Sequence, residues 1–402
     1  MKTRLLIMLC LMFPLGELMA QQTVDEATPV ADQARKTLEL EEQACADFCK
    51  SFQVSPEALE IHHSGMLFDG HNDLPWTMRR QANSSFEKVD ISEPTQFHTD
   101  IARLKEGGVK AQYWSVYVPA STMAADNAYV TTLEQIDLVH RMVKKYPETF
   151  ELALTADDLE RIVAEGKIAS LIGVEGGHSI ENSLARLREL YDRGARYMTL
   201  THSKNLDWAD ACTDEPKVGG LNAFGEEVVK EMNKIGMLVD ISHVSPECMR
   251  KTLQVSKAPV IYSHSSARAI CDHVRNVPDD ILELTAKNGG VVMVNFYTGF
   301  CMPKEKLEID IRCRGDFRIV VDHIDHIVKV AGIDHVGIGS DYDGISTLPR
   351  GLEDVSCYPV ITQELLNRGY TKADIHKILG GNALRVLRAA EQVSARLKSN
   401  SP

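Results

Sequence analysis

Neither G-x-G-x-x-G nor G-x-x-x-x-G-K-S/T occurs in the 402 residues, so the chain has no glycine-rich cradle for a dinucleotide or a nucleoside triphosphate. Positive charge is outnumbered. Against 57 Asp and Glu stand 44 Lys and Arg, and the formal charge of -13 argues against nucleic acid as a partner. None of the nine cysteines forms a Cys-x2-Cys pair, so thiolate zinc chemistry lacks its usual spacing. The N-terminal apolar run from Leu5 to Leu15 is too short to span a bilayer comfortably, and Arg396 to Pro402 carries no apolar tail for a lipid anchor.

That N-terminal run has another reading. Lys2 and Arg4 precede it and Glu17-Leu18-Met19-Ala20 follows it, which fits a secretory signal over residues 1–20 cleaved after Ala20. Export to a periplasm or to the outside is the expectation. An uncleaved anchor, or lipidation at Cys10 within Leu6-Ile7-Met8-Leu9-Cys10, are the alternatives. In an oxidising compartment some of the eight remaining cysteines should pair, with Cys45 and Cys49 one local candidate and about half of them buried as small hydrophobes.

Residues 21–60 are polar and acidic, with a helical run near Ala34 to Ser51, and read as an N-terminal extension. From Met66 onward, strand-length apolar segments alternate with amphipathic stretches. They run Met66–Asp69, Val109–Val118, Ile168–Val174, Arg196–Leu200, Met237–Ile241, Pro259–Tyr262, Gly290–Phe296 and His335–Gly339. Helical patterns at Ser183–Gly194, Gly225–Gly236, Pro246–Ser256, Pro278–Asn288 and Phe317–Gly332 lie between them, several stopped by glycine. Eight such strands with intervening helices predict an α/β fold, a closed (β/α)8 barrel over residues 61–390 with a polar tail at 391–402. Residues 74–108 and 297–334 are the long connections.

In such a barrel the residues just past each strand converge on one mouth. Strand one supplies His71 and Asp73, alternate positions that an extended chain points the same way. The plainer reading makes Asp73 a helix cap and His71 incidental. Strand three supplies Glu175, strand four His202, strand five His243, strand six His264 and strand eight Asp341. A single histidine at a strand end is more often an ordinary hydrogen-bonded residue, but a ring of them with carboxylates is hard to explain so. Nitrogen and oxygen donors without thiolates point to zinc or a similar divalent ion in hydrolysis. There are too many for one tetrahedral site with an open position, and two metals sharing a carboxylate would use them all.

The runs Asp69-Gly70-His71-Asn72-Asp73-Leu74-Pro75, Gly173-Val174-Glu175-Gly176-Gly177-His178, Thr201-His202, Ser242-His243, Ser263-His264-Ser265-Ser266-Ala267 and Asp341-Tyr342-Asp343-Gly344, in this order, resemble the renal or membrane dipeptidase family of dinuclear zinc peptidases. The resemblance covers about residues 60 to 390. It implies a metal-dependent hydrolase barrel with two zinc ions per chain: His71 and Asp73 on one, His243 and His264 on the other, Glu175 bridging. It further implies that His202 contacts substrate and oxyanion, that Asp341 handles the proton and the substrate amine, and that Arg275, in Val274-Arg275-Asn276-Val277, binds the substrate carboxylate. His178, Trp76 and Tyr297 fall at matching places, as packing or pocket residues. A disulfide between Cys271 and Cys301 is implied too, and a homodimer is left open. The N-terminal extension, the missing anchor tail and Asn205-Leu206-Asp207-Trp208 depart from the family pattern, the last at a place that bears on substrate preference.

The expected activity is hydrolysis of dipeptides with free termini, two cations making hydroxide available from a bridging water near neutral pH. Two other readings use the same barrel: a dinuclear deacylase or lactonase acting on N-acyl amino acids or cyclic esters, and an exported binding protein without catalysis. The intact ligand set and Asp341 disfavour the last.

Overall fold

Runs rich in Val, Ile and Leu suit strands covered on both faces, and here they form them. In the computed structural model, which describes residues 52–303 and 315–400, nine parallel strands share one sheet. They are β1 (Leu67–Asn72), β2 (Val109–Ser115), β3 (Phe150–Leu152), β4 (Ile168–Glu175), β5 (Ala195–Thr199), β6 (Leu238–Asp240), β7 (Ile261–Tyr262), β8 (Val291–Val294) and β9 (Val336–Ile338). Hydrogen bonding runs β2-β1-β9-β8-β7-β6-β5-β4, and β4 pairs back to β2 from Ala111↔Ala169 to Ser115↔Gly173, closing an eight-stranded (β/α)8 barrel.

The ninth strand stands outside that ring. β3 pairs with Ile168–Ser170 at the start of β4, and β5 takes over the same edge from Ile172. Only Phe150 of its three residues is fully buried, which is why the sequence pattern passes over it. The barrel strands themselves lie where the apolar runs place them, most of them shorter. β1 and β4 run further, β1 past Asp69 to Asn72 and β4 past Val174 to Glu175.

Local chemistry sets the helix limits. Ser183, Asn222 and Ser245 cap the helices Leu184–Asp192, Ala223–Ile235 and Pro246–Val255 by accepting from the N–H three residues on, and Gly236 and Gly289 end their helices at φ 94° and 82°. A helix at Pro56–Ser64, capped by Ser55, already belongs to the barrel unit, which begins at Gln53, inside the stretch read as an extension. At the other end the helix Asn382–Ser399 runs through most of the segment read as a polar tail, because Val393 and Ser394 are buried on its inner face. The leader, Cys10, the Ala34–Ser51 run and the Cys45–Cys49 pair lie outside the described residues. Among the described residues no helix is long and apolar enough to cross a membrane.

The barrel interior is aromatic below the site. Phe68 stacks on Tyr113 at 5.2 Å between centroids, and Tyr113 packs on Tyr197 at 4.8 Å. Gly173 permits this, since a Cβ there would run into the Tyr197 ring. The Tyr197 hydroxyl is thereby lifted to the strand ends.

Candidate metal centre

β1 carries His71 one residue before its end, and the chain leaves the strand at Asn72. Asp73 is therefore not on the strand, as alternation along an extended chain would have it, but at the N-cap of the helix Leu74–Ala82. It makes no capping hydrogen bond there; the Asn72 carboxamide oxygen accepts from Leu74 N–H instead (2.9 Å). This frees the Asp73 carboxylate to turn inward, where its Oδ2 lies 3.1 Å from His71 Nε2 and its Oδ1 is buried with no hydrogen-bond partner.

Glu175, the last residue of β4, divides its two oxygens. Oε2 lies 3.5 Å from His71 Nε2, on the Asp73 side; Oε1 lies 3.1 Å from His243 Nε2 and 3.5 Å from His264 Nε2. Donor atoms of His71, Asp73 and Glu175 all fall within 4.8 Å of one another, and so do those of Glu175, His243 and His264. A third such group joins His71 and His264 to Asp341. An ionised carboxylate with one face toward each half, and a buried orphan oxygen in the set, is what a pair of divalent cations fits.

Electrostatics follow from this crowding. Burial alone would raise the Glu175 carboxyl, but His71, His202 and the hydrogen bond from His243 outweigh it and hold it well below the usual range. Asp341 goes the other way: burial pushes it well up, His71 opposes, and Asp73 and Glu175 add repulsion. Burial keeps His243 and His264 neutral. His71 differs. Burial disfavours its charge, yet Asp73 and Glu175 favour a proton on it, at the place where a cation would sit.

Two of the site residues sit in backbone conformations that side chains rarely adopt, His243 at φ 65° and Asp341 at φ 68°. Gly344 packs against Asp341, where a Cβ would collide with the Asp73 and Asp341 carboxylates. Around this cluster stand residues to which the sequence assigns no role. Tyr197 OH meets His71 Nδ1 at 2.9 Å, Ser115 donates to Glu175 Oε2 (3.2 Å), and Asn295 donates to Asp341 Oδ2 (2.8 Å). The one signal for Tyr197 and Ser115 is an inward position on a strand.

His202 Nε2 lies 3.7 Å from Glu175 Oε1, and its ring packs on His243 (4.4 Å) and on Tyr117 (4.8 Å), which in turn meets Trp76 at 5.1 Å. His178 is drawn aside: its Nε2–H donates to the Val118 carbonyl (2.9 Å), and burial lowers it to about 4, so it is a neutral packing residue. Arg275 is 2% exposed and pairs with no carboxylate among the described residues; it donates to Ser265 Oγ (3.3 Å) and the His264 carbonyl (3.1 Å) and lies over Phe300, on which Tyr297 also packs. The Cys271–Cys301 disulfide is not made. Cys301 donates its S–H to the Asn295 carbonyl and Cys271 to the Met302 carbonyl, so each thiol is engaged with backbone rather than with the other.

The model of the membrane dipeptidase family, peptidase family M19, matches residues 56–401. The chain belongs to the membrane dipeptidase family. Dipeptidase 3 of Mus musculus is 44% identical over 357 residues, covering 87% of this chain and 69% of the relative; that of Macaca fascicularis is 42% identical over 358 residues, 88% and 71% covered. Among solved structures, a probable dipeptidase from Pseudomonas aeruginosa superposes with a TM-score of 0.77 at 25% identity, covering 84% of this chain and 98% of its own. A metallo peptidase from Rhodobacter sphaeroides, liganded with a phosphinate mimic of the dipeptide L-Ala-D-Ala, gives 0.72 at 25% identity, with 81% and 99% covered. As a family member the chain is a metallo-dipeptidase, and the clustered histidines and carboxylates lie at the barrel mouth where this fold keeps its active sites.

Proposed function

We propose that this metallo-dipeptidase holds two zinc ions per chain and hydrolyses the peptide bond of dipeptides whose amino and carboxyl termini are both free. The divided Glu175 carboxylate carries the proposal: one oxygen faces His71 and Asp73, the other His243 and His264. Bound there, a pair of divalent ions would supply Lewis acidity, lowering the pKa of a water and polarising the scissile carbonyl.

The side chains then divide the remaining work. Asp341, anchored through Oδ2 by Asn295, leaves Oδ1 toward the cluster, 4.0 Å from His71 Nε2. That free oxygen, facing the cluster, suits it to take the proton of the attacking water and return it to the leaving amine. His202, beside Glu175 and backed by Tyr117, would stabilise the oxyanion. Arg275 is the cation for the substrate carboxylate, since a buried guanidinium that meets only neutral oxygens has its charge unmatched. Support for a dipeptide comes also from the Rhodobacter sphaeroides relative and its L-Ala-D-Ala mimic. Residues 1–20 make export, with cleavage near Ala20, part of the proposal.

The test compares kcat/KM for one dipeptide with its N-acetylated and C-amidated forms, with and without chelator. Both blocked forms should be at least tenfold slower, and chelation should abolish turnover. An N-acetylated compound cleaved as fast as the free dipeptide would replace this function by the deacylase one.

A further inference from the structure

The two cluster histidines whose second ring nitrogens have hydrogen-bond partners are held in different ways. His71 Nδ1 meets only the neutral Tyr197 hydroxyl. His264 Nδ1 lies 2.8 Å from Ser263 Oγ, and behind that hydroxyl stands the fully buried Asp240, whose Oδ2 is 2.7 Å from the same Oγ. Asp240 accepts four hydrogen bonds: Ser242 N–H (3.1 Å) and Ser263 N–H (2.9 Å) on Oδ1, the Thr199 and Ser263 hydroxyls on Oδ2. Every one of its partners is a donor.

A serine hydroxyl has one proton. If Ser263 gives it to Asp240, Ser263 Oγ can only accept from the imidazole, so His264 must carry its proton on Nδ1 and present a bare Nε2 to Glu175. The opposite direction would leave two lone pairs facing each other at 2.7 Å. His243 Nε2, 2.8 Å from His264 Nε2, is then the donor in that contact when no cation is bound.

We propose that Asp240 and Ser263 are positioning residues, a carboxylate–hydroxyl relay that fixes the His264 tautomer and so prepares one half of the metal centre before any ion arrives. Neither residue is among the cluster's own ligand atoms; both act through His264. The relay also ties β6 to the end of β7, because the same carboxylate holds the backbone at Ser242 and Ser263, one residue before His243 and His264 respectively. Removing such a second layer commonly weakens metal binding about 10- to 100-fold.

This inference rests on the proposed two-zinc centre, and two measurements keep them apart. The first is histidine nitrogen NMR of the metal-free full-length protein, with His264 assigned by loss of its signal in His264→Asn. His264 should be the Nδ1–H tautomer in the wild type; an Nε2–H tautomer overturns the relay whether or not zinc binds. The second is zinc titration against a competing chelator for wild type, Ser263→Ala, Ser263→Thr and Asp240→Asn, with melting curves alongside. Ser263→Ala and Asp240→Asn should weaken one of the two ions about 10- to 100-fold and leave the other within threefold, and Ser263→Thr should recover most of the loss. Ser263→Ala binding both ions as the wild type does, or Ser263→Ala and Ser263→Thr losing both ions together with a lowered melting temperature, would overturn it. A wild type that binds no zinc would instead count against the proposed function.

Discussion

Arg275 tests the account at the scale of a single residue. A guanidinium grips a carboxylate with two parallel hydrogen bonds, whereas an ammonium is a point charge, so lysine cannot replace it here. Arg275→Lys should lower kcat/KM by one to two orders of magnitude, on the ~1.5 to 3 kcal/mol scale of a charged hydrogen bond, and leave metal content intact. Unchanged kinetics would move the carboxylate elsewhere. Residues of this kind were legible because their chemistry is rare at strand ends: His71, Glu175, His243, His264 and Asp341 stand out from apolar neighbours. Tyr197, Ser263 and Asn295 did not, since hydroxyls and amides are common everywhere and their roles exist only in relation to a partner over 40 residues away or, for Ser263, to one buried behind it.

At the scale of elements, two buried histidines pin segments distant in sequence. His62, on the helix Pro56–Ser64, donates from Nε2 to the Gly107 carbonyl (2.9 Å) and accepts at Nδ1 from Thr362 (2.7 Å). His323, on the helix Arg318–Ala331, accepts from Ala267 N–H (3.0 Å) and donates to the Cys301 carbonyl (3.1 Å). Burial lowers both to about 4 against an ordinary 6.5, so between those values the unfolded chain binds more protons. Stability should therefore be full above pH 6.5 and fall as the pH drops toward 4, by at most about 3 kcal/mol per histidine. Denaturation midpoints from pH 7.5 to 4.5 measure this, and His62→Gln should flatten the curve; an unchanged slope would exclude His62 as a contributor. Eight barrel strands were readable because burial on both faces leaves continuous apolar runs. β3 was not, having one fully buried residue, and the strand-to-helix switch at Asp73 was not, because His-x-Asp fits an extended chain equally well. The Cys271–Cys301 pairing came from resemblance alone, and packing sends each thiol to a backbone carbonyl.

The whole molecule matters because only barrel closure makes the site. β1 and β9, whose ends carry His71 and Asp341, are joined to β4, β6 and β7 through the ring, so donors 270 residues apart in the chain, His71 and Asp341, come within 4.0 Å. Glu175 turns one oxygen to His71 and Asp73 and the other to His243 and His264, as a carboxylate shared by two ions would. Metal analysis of the wild type and of Glu175→Gln, loaded with zinc and freed of excess, tests this most directly. About two ions per wild-type chain are expected, with binding of both weakened in the variant, because the shared negative charge is gone. One tightly held ion in the wild type, retained unchanged in Glu175→Gln, would contradict it.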